Sequence, residues 1–407
     1  SREVILQIDQ APPQSRLSLN GNYQIRNDWY NSSVNIQIRS DDQGSGEALA
    51  GIQEIRYQLD NQPEQVTSDS TANFTVSTDG NHTIRYYAID KAGNQEAERS
   101  ITFKLDTTAP TPPTSVTVTN GAPHNIWQKS HNKLELTWAE SSDAHSGVAG
   151  YELQWVDEGG TVIQRGFSMA DSREFTSRSV HTGEYTLQGR TRDNAGNFSD
   201  WATMHILRYD STAPENPQEA SHTANIQNDV WQRQTSQPNF TWPASFDKGS
   251  GIKGYLVYWG ADPDGTSTQL QSNPTFHSAT PLCNTGEVCT GYLRIRSVDN
   301  VDNNAEGWSS AFTLRYDDVP PVADFSFPGN ITQTAQSQIT LQLDASDTGS
   351  GVKAMRFSHD GITWTPWEPY ANERIWAIPA IGRQSWPIYA QVQDERLRHL
   401  YRPRRDL

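Results

Sequence analysis

The sequence predicts an all-β chain: a tandem, elongated array of four β-sandwich modules. Three observations carry that reading. A turn of the form D-x-x-S-G recurs at residues 42–46, 143–147, 247–251 and 347–351, and a second aspartate follows each about fifty residues on, at Asp90, Asp193, Asp299 and Asp394. Proline-bearing joints recur after Asp9, Asp106, Asp210 and Asp317, spaced 97, 104 and 107 residues apart, which is the length of one small sandwich. Apolar and polar residues alternate with period two on both sides of the turns, and no stretch of useful length has a helical period.

The elements follow from these marks. Proline fixes φ and cannot extend a ladder, so each joint ends one module and starts the next. The modules are expected at 11–106, 107–210, 211–317 and 318–407. Residues 1–10 read as the last strand of a preceding module, or as a donor strand completing the open sheet of another copy head to tail. Before each turn comes an alternating strand, with Ile36 and Ile38, Leu136 and Trp138, Phe240 and Trp242, or Leu341 and Leu343 on one face. After it comes another, holding Ile55 and Tyr57, Leu153 and Trp155, Tyr255 and Trp259, or Met355 and Phe357. A third runs into each late aspartate. The fourth module's final hairpin, in the Arg-rich stretch 399–407 with Pro403 inside it, is in doubt.

Composition excludes several functions. Hydrophobic residues are 34%, as exposed outer sheet faces would give, while 13 Trp supply small cores. A net charge of −16 disfavours nucleic-acid partners. Only the end is basic, through Arg396, Arg398, Arg402, Arg404 and Arg405, which reads as a solvated tail or a docking patch. No apolar run is long enough for membrane insertion. The two cysteines, Cys283 and Cys289, share one loop and read as a local disulfide in an oxidising compartment. The ten His form no zinc-protease pattern, and the S-G pairs are not G-x-S-x-G. A nucleophile needed once would not recur at every module, so the chain is read as no enzyme.

The S-G-V-x-G-Y run at 146–151, S-G-I-K-G-Y at 250–255, Trp138 and Trp242, and the D-x-A-G-N hairpins at 90–94 and 193–197 give a family likeness, with 299–303 a looser copy. The chain resembles bacterial cell-surface and secreted fibronectin type III-like and immunoglobulin-like repeats. That resemblance implies four immunoglobulin/fibronectin III-like sandwiches and an extracellular or cell-surface location. It also implies that three acids gather at each joint: Asp106, Asp143 and Asp193; Asp210, Asp247 and Asp299; Asp317, Asp347 and Asp394. They read either as turn formers bonding their own backbone or as oxygen ligands for calcium. Trp127 and Trp231, at one module position, read as packing residues or as a sugar-stacking face.

The function expected is a non-enzymatic structural or adhesive array: stalk, surface layer, filament or adhesin. The alternative is a spacer or carbohydrate-binding set in a larger secreted hydrolase. The expected partners are other modules of the same or neighbouring chains, and cell-surface glycans.

Overall fold

The computed structural model describes residues 8–24, 27–43, 49–224, 226–233, 237–331, 333–378, 385–395, 399–401 and 405–406. Among them everything regular is strand, apart from the single 3-10 turn Pro328–Asn330. The chain forms two compact units, Ser1–Asp210 and Ser211–Leu407, and each contains two sandwiches with separate cores.

In the first unit, the first sandwich stacks a three-stranded sheet (Gln14–Asn20, Val34–Asp41, Thr71–Val76) on a six-stranded one. Val34–Asp41 shows the cause in its burial, which alternates without a break: Val34, Ile36 and Ile38 inward, Asn35, Gln37 and Arg39 outward. Ile55, Ile84 and Ala88 meet them from the other sheet. In the second sandwich, Glu135–Thr137 lies between Thr117–Val118 and Glu174–Thr176. Its larger sheet runs Trp127–Gln128, Ala202–Tyr209, Gly183–Asp193, Val148–Asp157, Val162–Met169, with Trp127–Gln128 parallel to its neighbour and the rest antiparallel.

The second unit repeats the plan. Its first sandwich has the order Trp231–Gln232, Ser309–Asp317, Val288–Asp299, Ile252–Gly260, Leu270–Gln271 in the larger sheet. In its second, Gln338–Ser346 pairs with Val322–Ser326 and Glu373–Ala377. The doubtful last hairpin of the chain does form a strand, in two pieces, His399–Tyr401 and Arg405–Asp406, both antiparallel to Pro387–Asp394. The expected orphan strand at residues 3–9, and Arg396, Arg398, Arg402 and Arg404, lie wholly or mostly outside the described residues.

The S-G-V-x-G-Y motif has a physical reason. Tyr151 is fully buried, stands edge-on to Trp138 at 5.3 Å, and its hydroxyl accepts the Ser141 N–H at 2.9 Å. Tyr255 does the same with Trp242 at 5.5 Å and the Ser245 N–H at 3.0 Å. The preceding glycines are forced: a Cβ on Gly150 would stand 2.6 Å from the Ser168 carbonyl oxygen, and one on Gly254 at 2.4 Å from that of Gln271. Cys283 and Cys289 are joined by a disulfide.

Candidate functional site: the aspartate clusters

The D-x-x-S-G aspartates build their own turns. Asp143 Oδ1 accepts the N–H of His145 at 3.1 Å and of Gly147 at 2.7 Å. Asp247 Oδ2 accepts those of Gly249 and Gly251, and Asp347 Oδ1 those of Gly349 and Gly351. Each turn then closes on a glycine in the left-handed region, at φ 77°, 84° and 84°. The late aspartates hold the hairpins in the same manner. Asp193 accepts Asn197 N–H and Nδ2–H, both at 2.8 Å, and Asp299 accepts Asn303 N–H and Nδ2–H, both at 2.7 Å. The looser third hairpin keeps its shape because Asp302 takes φ 64° where the others have glycine.

The turn reading thus accounts for most carboxylate oxygens, but the acids also gather. One oxygen from each of Asp106, Asp143 and Asp193 lies within 4.8 Å of the others, and the same holds for Asp317, Asp347 and Asp394. In the second unit Asp247 and Asp299 approach within the same distance. Asp210, buried at the end of the first unit, donates its N–H to Gln128 O at 2.9 Å and accepts from Thr182 Oγ1 at 3.3 Å.

The linker aspartate couples one sandwich to the next within a unit. Asp106, wholly buried, ends the first sandwich, yet its Oδ2 accepts the Ser146 N–H of the second at 3.0 Å. Asn197 of the second donates from Nδ2 to the Asp106 carbonyl at 2.9 Å. In the second unit, Asp317 Oδ2 accepts both N–H and Oγ–H of Ser350 at 2.7 Å. Side chain and backbone of one residue therefore belong to two modules.

Electrostatics sets the first unit's cluster apart from an ordinary turn. Among the described residues, no Lys or Arg nitrogen comes within 4 Å of Asp106, Asp143 or Asp193. Burial raises the Asp193 carboxyl to about 6; hydrogen bonds from Asn197 oppose the rise, and the Asp106 charge adds to it. Asp143 Oδ2 is shielded from solvent and accepts no hydrogen bond, and the same is true of Asp347 Oδ2 and Asp247 Oδ1. Hard oxygens converging on a shared point with one orphaned acceptor suit a hard cation.

A further cluster, Asp9, Asp42 and Asp90, was not among the expected trios. The signal was present, because these three occupy the same repeat positions in the first module. Asp9 accepts the Ala11 N–H at 3.1 Å and the Ala50 N–H at 2.9 Å, and its carbonyl accepts from Asn94 Nδ2 at 3.2 Å. Trp127 and Trp231 are each half-buried in a short strand, with Arg208 over the first at 6.0 Å and Arg315 over the second at 5.7 Å.

The strand orders are those of immunoglobulin/fibronectin III-like β-sandwiches in tandem, a statement about fold. No family model matches the chain. Over 291 residues it is 28% identical to Exoglucanase B of Cellulomonas fimi, a match that takes in 61% of this chain and spans only 23% of that protein's length. Solved structures similar to it include the Clostridium thermocellum CbhA fibronectin(III)-like modules, at 14% identity and TM-score 0.28 over 48% of this chain and 95% of theirs. Chicken CNTN1 FN1–FN3 domains align at 15% identity and TM-score 0.23 over 75% of this chain and 98% of theirs.

Proposed function

We propose that this chain is a non-catalytic, extracellular spacer array within a larger polysaccharide-acting protein, and that its joints are set by shared aspartates. The carrying observation is the joint in the first unit, where Asp106 closes one sandwich and caps the D-x-x-S-G turn of the next. Such sharing opposes swivel between neighbours, which suits a spacer. The exoglucanase relative favours a place beside a glucan-degrading domain over an adhesin. The disulfide favours an oxidising, extracellular setting. Spin labels on the two sandwiches of the first unit test the joint. Asp106→Ala is expected to broaden a narrow distance distribution, and an unchanged width would sink the reading.

Calcium at the joints belongs to the same proposal. Asp106, Asp143 and Asp193 would hold it in the first unit, and Asp317, Asp347 and Asp394 in the second, each site drawing further oxygens from backbone and water. The ion would neutralise clustered carboxylates that have no cationic partner in the first unit. The chain is expected to melt several degrees higher in millimolar calcium than in chelator, with the gain reduced in Asp143→Asn. Identical melts in both buffers would remove the metal and leave the hydrogen-bonded joint standing.

A further inference from the structure

The second and third sandwiches each tie a short segment to the outer edge of their final strand, using the same two hydrogen bonds. In the second, Asn125 N–H donates to Ile206 O at 2.9 Å, and Ile206 N–H donates back to His124 Nδ1 at 3.3 Å. In the third, Asp229 N–H donates to Thr313 O at 2.8 Å, and Thr313 N–H donates to Asn228 Oδ1 at 2.7 Å. Asn125 and Asp229 share the left-handed conformation, at φ 57° and 55°, and Trp127 and Trp231 follow in identical parallel pairings. One difference stands out chemically. The acceptor is an imidazole in the second sandwich and an amide in the third. One residue before the donor on the final strand stands His205 in the second sandwich and Phe312 in the third, each buried to 2% exposure.

An imidazole nitrogen accepts a hydrogen bond only while it carries no proton. The ring of His124 stands edge-on to His205 with centroids 4.9 Å apart. The Nε2 of His205 is shielded from solvent and has no hydrogen-bond partner, so a proton placed there would be buried without an acceptor. Leu187 faces His205 from the neighbouring strand. On the same final strand, Arg208 is engaged by Glu184 at 2.7 Å and covers Trp127. The His124 charge disfavours a proton on the ring; a hydrogen bond to the Pro123 carbonyl favours it but is outweighed.

We infer that residues 122–128 form an acid-weakened strap on the second sandwich, whose hold on Ala202–Tyr209 is complete only while His124 and His205 are both neutral. Acidification removes the acceptor for Ile206 N–H and sets two positive rings against each other. The strap then lifts and bares the edge of the final strand. Burial, with the His124 charge second, pushes His205 down to about 4, so the second positive ring forms only as the solution nears that pH. The third sandwich, with Asn228 and Phe312 in the same places, keeps its strap.

The test is hydrogen exchange at the Ile206 amide in the full chain, corrected for intrinsic rate, at pH 7.5 and pH 4.5. Protection in the wild type is expected to fall at least tenfold. In the variant carrying His124→Asn and His205→Phe, which copies the third sandwich, it is expected to stay within about twofold. An unchanged wild type, or an equal fall in the variant, overturns the strap. Should the double variant not fold, His124→Asn alone supplies an amide acceptor and is expected to show a smaller fall; an equal one counts against the proposal.

Discussion

In the second sandwich Trp155 is completely buried and stacks on Tyr185 at 5.8 Å. In the third, the equivalent Trp259 is only partly covered and lines a small pocket with His222, Phe240 and Phe312. Cys283 lines the same pocket, and its bridge to Cys289 fastens the loop that leads into the strand Val288–Asp299. The second sandwich has no such bridge. Two copies of one plan thus differ: one encloses its tryptophan fully, and the other leaves it partly covered beside a loop closed by a disulfide. A disulfide acts chiefly on the unfolded chain, so its effect adds to whatever packing Cys283 itself contributes.

Exchanging the strengths of the two sandwiches would break that comparison. Trp155→Ala is expected to cost the second sandwich about 3–5 kcal/mol, whereas Trp259→Ala costs the third clearly less, read by hydrogen exchange resolved by sandwich. Equal losses would mean that the pocket beside Trp259 has no energetic meaning.

Acid sharpens it next. His205 is neutral in the fold and protonates near 6.5 when unfolded, so its contribution is complete above that pH. Stability is lost as pH falls from 6.5 towards about 4, by about 3 kcal/mol at most, and His205→Phe should flatten the profile. In the third sandwich His222 is also lowered by burial, so some acid sensitivity is expected there too.

Reducing the disulfide should cost the third sandwich about 2 kcal/mol, from the entropy of a short closed loop, and leave the second unmoved. The smallest effect is a control. Tyr151→Phe and Tyr255→Phe each remove one buried acceptor and should cost the same, about 1 kcal/mol.

Much of this was legible in the residues. The strands follow from period-two alternation, and the turns from aspartate and glycine at fixed offsets, because both are local effects that repeat. The gathering of Asp106, Asp143 and Asp193 needed the resemblance as well, since the three are far apart in sequence. What could not be read was pairing between segments with no local signature. Nothing in the residues around His124 announces that Ile206 will donate to it, and the short strand at Trp127 has only two residues to signal itself. The Asp9, Asp42 and Asp90 trio is the opposite case, since these three aspartates stand at the repeat positions that the other modules share.

The shared aspartate also bears on how such a chain can grow. A gene segment beginning after Asp106 would encode a sandwich whose Ser146 amide and Asn197 side chain reach for a residue left behind. One that starts with the aspartate carries its own lid. Copying, shuffling or grafting of these repeats should therefore respect a boundary one residue ahead of the joint, and hybrids cut elsewhere should express poorly.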